Sequence, residues 1–185
     1  MTKVKVGNVT NLSEARYCAG MGVDFLSFPI SQIDPKMYQE ITAWVTGPKF
    51  GIEAELEGPE LIAQYHFDFI QTRDARSSGL KIGNELFMAV PIGEWPNKKD
   101  ILLHSKDSIR YIELEFLSLD APTVKLVEEI SRDFQVFLKP TGTVDVAAVL
   151  KMPIAGISLE GSSEAKPGLK EYPLSKTLEM LEAVD

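Results

Sequence analysis

Eight short apolar runs recur along this chain at intervals of roughly 18 to 25 residues, and most are followed by a stretch with helical periodicity. The first repeat shows the plan. The alternating run Lys3–Val6 predicts a strand, and Asn11 with Glu14 three residues later predicts a capped helix start. Gly20 ends that helix, and Asp24–Phe28 is the next predicted strand. Such a strand–helix–strand repeat implies a parallel, right-handed crossover.

The number of repeats selects the fold. The predicted strands are Lys3–Val6, Asp24–Phe28, Lys49–Glu55, Phe67–Thr72, Leu86–Val90, Arg110–Phe116, Gln135–Lys139 and Ile154–Leu159. Eight parallel strands indicate an α/β protein with a (βα)8 TIM-barrel fold, because open doubly wound sheets usually have about five or six strands. A chain of 185 residues then forms one compact barrel domain, residues 1–185, with some short or degenerate helices.

Two expectations concern individual helices. Met37, Ile41 and Trp44 recur at helical spacing and are predicted to share one apolar face. Thr143 is predicted to cap the helix after the seventh strand.

Composition and charge exclude several classes of protein. The net charge of −8 argues against a nucleic-acid partner and against an anionic membrane surface. No run approaches the roughly 20 apolar residues of a membrane span, and the first residues lack the apolar core of a signal peptide, so we expect a cytoplasmic protein. The single cysteine, Cys18, excludes an intramolecular disulfide and CxxC-type zinc sites, and it is expected in the core. No motif indicates a metal or a cofactor.

In a (βα)8 barrel the site lies at the carboxyl ends of the strands. Alternation in the sixth strand places Tyr111, Glu113 and Glu115 on the inner face. Two neighbouring carboxylates push one pKa upward, which suits a general acid, so Glu115 and Glu113 are the candidate catalytic residues. The alternative is that these carboxylates balance the inward-facing Lys5 and Lys139.

The loops after the seventh and eighth strands are the usual phosphate site of such barrels. Their backbone amides and hydroxyls make these loops a candidate binding site for a phosphorylated small molecule. The candidate phosphate-binding residues are Thr141, Gly142, Thr143, Gly161, Ser162 and Ser163. Glu160 opposes this prediction, because a carboxylate repels a phosphate at close range.

Three stretches resemble phosphoribosylanthranilate isomerase. Lys3–Phe28 resembles that family's start, a strand ending in Lys-Ile-Cys-Gly followed by Thr-Asn-Leu and a helix. Gly156–Glu171 is similar to its closing motif, with the spacing to Pro-Gly and the following lysine kept without a gap. Phe69–Gln71 is similar to its Val-Gln-Leu-His strand. The resemblance extends over nearly the whole chain, strongly at the two ends and weakly between them.

The resemblance implies an Amadori rearrangement of a phosphorylated aminoaldose to an aminoketose, related to tryptophan biosynthesis, by a monomer or homodimer without a cofactor. It implies that Glu115, or less readily Glu113, is the general acid. The family's general base is a cysteine at the end of the first strand, where this chain has Gly7. The substrate-binding residues that it implies, together with the inward lysines, are Lys5, Gly7, Asn8, Gln71, Arg73 and Lys139.

Other departures leave the activity open. The loop after the second strand has no arginine, and the family's histidine after the fourth strand is Arg73 here. The first hypothesis is an isomerase of a phosphorylated aminosugar or phosphosugar with altered acid and base residues. The alternative is a catalytically inactive ligand-binding or regulatory barrel. A third hypothesis is a carbon–carbon lyase that uses Lys139 as a Schiff-base lysine. Because Gly7 cannot take a proton, the sequence predicts no turnover of phosphoribosylanthranilate. Gly7→Cys alone should rescue little, because the family's arginine after the second strand and its serines after the eighth are missing too, and the substrate would be poorly positioned.

Overall fold

The strands form a closed parallel barrel in which they follow one another in chain order. The computed structural model describes residues 2–55, 58–74, 85–141, 145–161 and 173–182. The strands are β1 (Lys3–Gly7), β2 (Phe25–Pro29), β3 (Lys49–Glu53), β4 (Phe69–Thr72), β5 (Glu85–Pro91), β6 (Tyr111–Phe116), β7 (Val136–Pro140) and β8 (Gly156–Glu160). The predicted (βα)8 barrel is confirmed.

The helices are short, as the length of the chain requires. Within the described ranges the α-helices are α1 (Leu12–Gly20), α2 (Pro35–Ala43), α3 (Pro59–Ile62), α4 (Trp95–His104), α5 (Ala121–Ile130), α6 (Val146–Val149) and α7 (Pro173–Glu182). Both α3 and α6 have only four residues. No helix in the described part of the chain is long and apolar enough to cross a membrane.

The described residues divide into two compact units. One contains Lys3–Asp68 and the described residues after Ser158, and the other is Phe69–Ser158. In the first unit, β2 pairs with β3 from Phe25↔Lys49 to Pro29↔Glu53. In the second, β4 to β7 form a continuous set of parallel pairs. That residues 1–185 make one domain stays a prediction.

Side-chain caps begin several helices. Asn11 Oδ1 accepts a hydrogen bond of 2.9 Å from the Glu14 amide, as the sequence predicts. The predicted cap on α6 is wrong, because Asp145 occupies that position and its Oδ1 accepts from the Ala147 amide at 2.9 Å. Thr143 itself lies outside the described residues.

The predicted shared face of α2 is present, because Met37, Ile41 and Trp44 line one groove, but only Ile41 of the three is buried. Tyr38 and Ile41 are the buried residues of this helix, whereas Met37 is half-exposed and Trp44, just after its end, is 74% exposed. Tyr38 and Ile41, which lie three residues apart, therefore pack into the core. Met37 and Trp44 line a groove of about 360 Å³ together with Ile41 and Leu12. Cys18 is fully buried, as expected.

A layer of four aromatic rings identifies the inner face of the second unit. Phe87 on β5 and Phe137 on β7 have their ring centroids 5.3 Å apart, although β6 lies between their strands. Strands two apart are separated by about 10 Å, so rings that approach this closely lie on the concave side of the sheet. The Tyr111 ring of β6 packs on both of them, at 4.5 and 5.0 Å.

The second unit therefore has an inner face with an aromatic floor. The fourth ring of this layer is Phe69, 4.9 Å from Phe87. Strand alternation then places Glu113 and Glu115 of β6 on the inner face, where Tyr111 lies.

A buried tyrosine in the first unit gives the fold a predicted sensitivity to alkali. Tyr38 packs its ring on Phe28 and Tyr65, and its hydroxyl donates to the His66 carbonyl at 3.0 Å. Burial, with a smaller contribution from the Asp68 carboxylate, raises the pKa of the Tyr38 phenol well above its usual range.

We expect this phenol to lower the free energy of unfolding above about pH 10. The folded chain keeps the Tyr38 proton where the unfolded chain loses it, so the stabilisation is complete below about pH 10 and falls by about 1.4 kcal/mol per pH unit above it. Urea titrations from pH 8 to 11 should show a less steep alkaline loss for Tyr38→Phe than for wild type. Equal slopes in the two proteins would contradict the assignment.

Candidate active site

The carboxyl end of β6 carries a charged cluster on the inner face of the second unit. Glu115 Oε1 accepts a hydrogen bond of 2.6 Å from Arg73 Nη2, which follows β4. The same oxygen lies 3.4 Å from Lys139 Nζ on β7, the strand position that pairs with Glu115. Glu115 and Lys139 are mostly buried, whereas Arg73 is half-exposed. The predicted balance of Glu115 by Lys139 is therefore present, and Arg73 adds a second cation.

Helix α4 contributes a third cation to this cluster. Lys98 Nζ donates to the Arg73 carbonyl at 3.2 Å and lies 2.9 Å from Glu94 Oε2. The lysine therefore links the start of α4 to the turn after β4. Arg73, Lys98 and Lys139 contact the carboxylates of Glu94 and Glu115, which leaves an excess of one positive charge among these five groups, although the whole chain carries a net charge of −8. Such a local concentration of positive charge favours anionic ligands.

Burial separates the two glutamates of β6. Glu113 is fully buried, whereas the Glu115 side chain is 10% exposed. A group that exchanges a proton with a bound substrate must reach the space that the substrate enters. Glu115 is therefore better placed than Glu113 for proton transfer.

Several polar side-chain atoms are buried in this unit without a hydrogen-bond partner among the described residues, and two of them lie on β4 and β8. They are Gln71 of β4, through Oε1, and Ser158 of β8, through Oγ. A buried polar atom is normally satisfied, so each of these atoms can accept a hydrogen bond from a ligand or a water. This is consistent with the predicted role of Gln71 in substrate binding, which stays a prediction.

In the first unit a second cluster lies at the carboxyl ends of β1, β2 and β3. Glu53, the last residue of β3, places Oε1 2.6 Å from the Asn8 amide and 2.6 Å from Ser27 Oγ. Strand β2 separates Glu53 from β1, so a carboxylate that reaches Asn8 must cross the inner face. Both contacts are hydrogen bonds donated to the carboxylate.

The Glu53 carboxylate occupies the space that a side chain on Gly7 would enter. A Cβ built on Gly7 would lie 2.9 Å from Glu53 Oε1, 3.2 Å from Lys5 Nζ and 3.3 Å from Ser27 Oγ. The space in which the resemblance expects a thiol is therefore bordered by a carboxylate, an ammonium group and a hydroxyl. Lys5 is 1% exposed, which places its charge inside the barrel rather than in solvent.

Asn8 has a left-handed backbone, with φ of 54°. Asparagine tolerates this conformation better than most residues other than glycine. The resemblance has a glycine at this position, so both residue types fit one backbone requirement. The left-handed turn directs the Asn8 amide to the Glu53 carboxylate.

The predicted phosphate-binding residues are only partly described. The Thr141 amide and hydroxyl both donate to the Phe116 carbonyl, at 2.8 and 3.0 Å. The Gly161 amide donates to the Gly7 carbonyl at 2.7 Å, and a Cβ on Gly161 would meet that oxygen at the same distance. These two amides are thus engaged within the fold. The remaining candidates, Gly142, Thr143, Ser162 and Ser163, lie outside the described residues, and the phosphate site stays a prediction.

Sequence reasoning missed Glu53 and Ser27. The alternation that identified the inner face of β6 also applies to β3, where it places Gly51 and Glu53 on one face. A carboxylate as the last residue of a predicted inner face was therefore a usable signal. Ser27 carried a weaker signal, because every residue of β2 is buried and its sequence does not separate two faces.

Solved structures with this fold include several phosphoribosylanthranilate isomerases. A monomer of the dimeric enzyme from Thermotoga maritima matches with a TM-score of 0.75 and 19% identity, covering 100% of this chain and 99% of that one. An enzyme in complex with reduced 1-(o-carboxyphenylamino)-1-deoxyribulose 5-phosphate matches with a TM-score of 0.73 and 18% identity, covering 98% and 97%. The enzyme from Thermococcus kodakaraensis matches with a TM-score of 0.69 and 14% identity, covering 100% and 98%.

These likenesses confirm the predicted resemblance at the level of the fold. No protein-family model and no curated protein matches the sequence.

Proposed function

We propose that this barrel is an isomerase that converts a phosphorylated aminoaldose into the corresponding aminoketose. The proposal rests on Glu115, a carboxylate at the carboxyl end of β6 that contacts Arg73 and Lys139. The likeness of the fold to phosphoribosylanthranilate isomerases supports the choice of reaction. Under this proposal the chain is a cytoplasmic relative of a tryptophan-biosynthesis enzyme, acts as a monomer or homodimer and uses no cofactor.

Glu115 is proposed to be the general acid that opens the sugar ring. Its proton passes to the ring oxygen, the bond from that oxygen to C1 breaks, and the nitrogen lone pair forms a C1=N iminium. Arg73 and Lys139 hold the carboxyl group in place through its Oε1 atom, so the group has one defined position at the strand end.

The cations beside Glu115 indicate the class of substrate. Arg73, Lys98 and Lys139 supply positive charge where an anionic substrate group would bind. An arginine can bind a phosphate or a carboxylate through two parallel hydrogen bonds. A sugar phosphate whose amino substituent carries a carboxylate would match this cluster best.

A second candidate function is a ligand-binding barrel without catalysis. It is favoured by Gly7, because glycine has no titratable group at the position where the resemblance expects the base. The engagement of Glu115 by two cations also fits a purely structural role for that carboxylate. In this alternative the barrel binds the same anionic ligands and leaves them unchanged.

A turnover assay separates the two functions. Wild type is incubated with phosphoribosylanthranilate and with other N-substituted phosphoribosylamines, and the ketose product is identified by mass spectrometry. We expect product formation above the uncatalysed rate with at least one of these substrates. Calorimetry with the reduced product analogue 1-(o-carboxyphenylamino)-1-deoxyribulose 5-phosphate runs in parallel. Binding of the analogue without turnover would favour the binding barrel, and neither binding nor turnover would contradict both functions.

A further inference from the structure

We propose that Glu53 is the general base of this barrel, a role that rests on the proposed isomerase function. The carboxylate occupies the space next to Gly7, where the resemblance would place a thiol. Strand β3 therefore supplies the base that the end of β1 lacks. The chain would keep the reaction while moving the proton acceptor by two strands.

The contacts of Glu53 define a fixed and partly accessible carboxylate. Its Oε1 accepts two short hydrogen bonds, from the Asn8 amide and from Ser27 Oγ. Two donors on one oxygen fix the orientation of the group, and the residue is neither fully buried nor fully exposed. A general base needs both properties, because it must hold its geometry and still touch the substrate.

Lys5 gives this site a cation as well. Its Nζ lies 3.2 Å from the point where a Cβ on Gly7 would stand, and Glu53 Oε1 lies 2.9 Å from the same point. The carboxylate and the ammonium group therefore border the same space beside Gly7.

The step assigned to Glu53 follows ring opening. Glu53 removes the proton from C2 of the iminium, and the electron pair of the C2–H bond forms the C1=C2 double bond. The π pair of the C1=N bond moves to nitrogen, so the product of the step is a neutral enolamine. Tautomerisation then adds a proton to C1 and removes the proton of the C2 hydroxyl, which leaves the ketone at C2. The step needs neither an oxidant nor a reductant.

The substitution Glu53→Gln tests this role. Glutamine keeps the length of the side chain and can still accept hydrogen bonds from Asn8 and Ser27, but it cannot take the proton. We expect kcat to fall by about 10²–10⁴-fold, with the affinity for the reduced product analogue changed by less than about threefold. The rise of kcat on the acidic side of the pH profile, which reports loss of a proton from the base, should be absent in this variant.

One control variant and two alternative variants accompany Glu53→Gln, so that the role of Glu53 can still be tested if that variant is unstable. Glu60→Gln removes an exposed carboxylate of α3 in the same unit and should leave kcat unchanged. Ser27→Ala removes one hydrogen bond to the carboxylate and should lower kcat by about tenfold. Glu53→Asp keeps the base but shortens it, and should retain more activity than Glu53→Gln. Circular dichroism and the thermal midpoint check that each variant is folded.

The substitution Gly7→Cys distinguishes a replaced base from a missing one. A Cβ at position 7 would stand 2.9 Å from Glu53 Oε1, so the thiol would displace the carboxylate. We therefore expect Gly7→Cys to lower turnover. A missing base would predict turnover that is unchanged or slightly raised on adding the thiol.

The outcomes separate failure of this inference from failure of the proposed function. Wild-type turnover that survives Glu53→Gln within about threefold would overturn the role of Glu53 and leave the isomerase in place. A loss of kcat that comes with an equal loss of affinity for the analogue would also overturn it, since the residue would then be structural. Absence of turnover in wild type would overturn both, and only that result would remove the proposed function.

Discussion

The substitution Glu115→Gln is expected to lower the kcat of the isomerisation by about 10²–10⁴-fold, because the amide cannot donate the proton that opens the sugar ring. Glutamine keeps the size of the side chain and can still accept a hydrogen bond from Arg73. The affinity for the reduced product analogue should therefore change much less than kcat. Steady-state kinetics with calorimetry on the same protein measures both quantities.

A matched control exists on α5. Glu129 Oε1 forms an ion pair of 2.6 Å with Lys99, the same length as the Arg73–Glu115 contact, but the pair is exposed and joins α4 to α5. Glu129→Gln should leave kcat unchanged, because an exposed ion pair between helices contributes little to the stability of the fold and lies outside the proposed site. A kcat for Glu115→Gln that equals that of Glu129→Gln would contradict the assignment of the acid.

The largest effect on stability is expected for Phe87→Ala. Phe87 is fully buried and its ring packs on Phe69, Tyr111 and Phe137. Removing a buried aromatic ring of this kind lowers the free energy of unfolding by about 3–5 kcal/mol, because the burial of the apolar ring is lost and the cavity that it leaves cannot fully collapse. The free energy of unfolding from urea titration should fall by that amount. Since the free energy of unfolding of natural domains is only about 5–15 kcal/mol, the folded state of this variant will be marginally stable.

Phe87→Leu provides the comparison for this prediction. Leucine fills most of the space but loses the edge contacts between aromatic rings, so we expect a smaller loss, of about 1–2 kcal/mol. A loss below about 1 kcal/mol for Phe87→Ala would show that the four rings do not form the floor of the inner face. The same titration would then require another account of how β6 is supported.

The barrel could be predicted from the sequence because its pattern is local. Each repeat carries its own strand, stop and helix signals, such as Asn11 before α1 and Asp34 with Pro35 at the start of α2. Eight repeats of that kind leave few alternatives to a closed parallel barrel. Alternation in β6 also predicted the inner face, since Tyr111 packs there with Phe87 and Phe137.

The contacts of the site could not be predicted in the same way. The bond from Arg73 to Glu115 joins residues 42 positions apart, and the bond from Asn8 to Glu53 joins residues 45 positions apart. Such contacts depend on the rotamers of long side chains across a sheet, which periodicity does not specify. The burial on α2 had a different cause, because Met37 and Trp44 fit a helical period but Tyr38 occupies the buried position.

The most direct test of the account is turnover by wild type in D₂O. The proton added to C1 is assigned to solvent, so one solvent deuterium is placed on C1 of the ketose, and the label survives transfer back to H₂O because it is bound to carbon. We expect wild type to form a product one mass unit heavier than the product formed in H₂O, and we expect this product to be nearly absent with Glu53→Gln. Product without the label, or no product with any of the phosphorylated aminoaldoses, would contradict it.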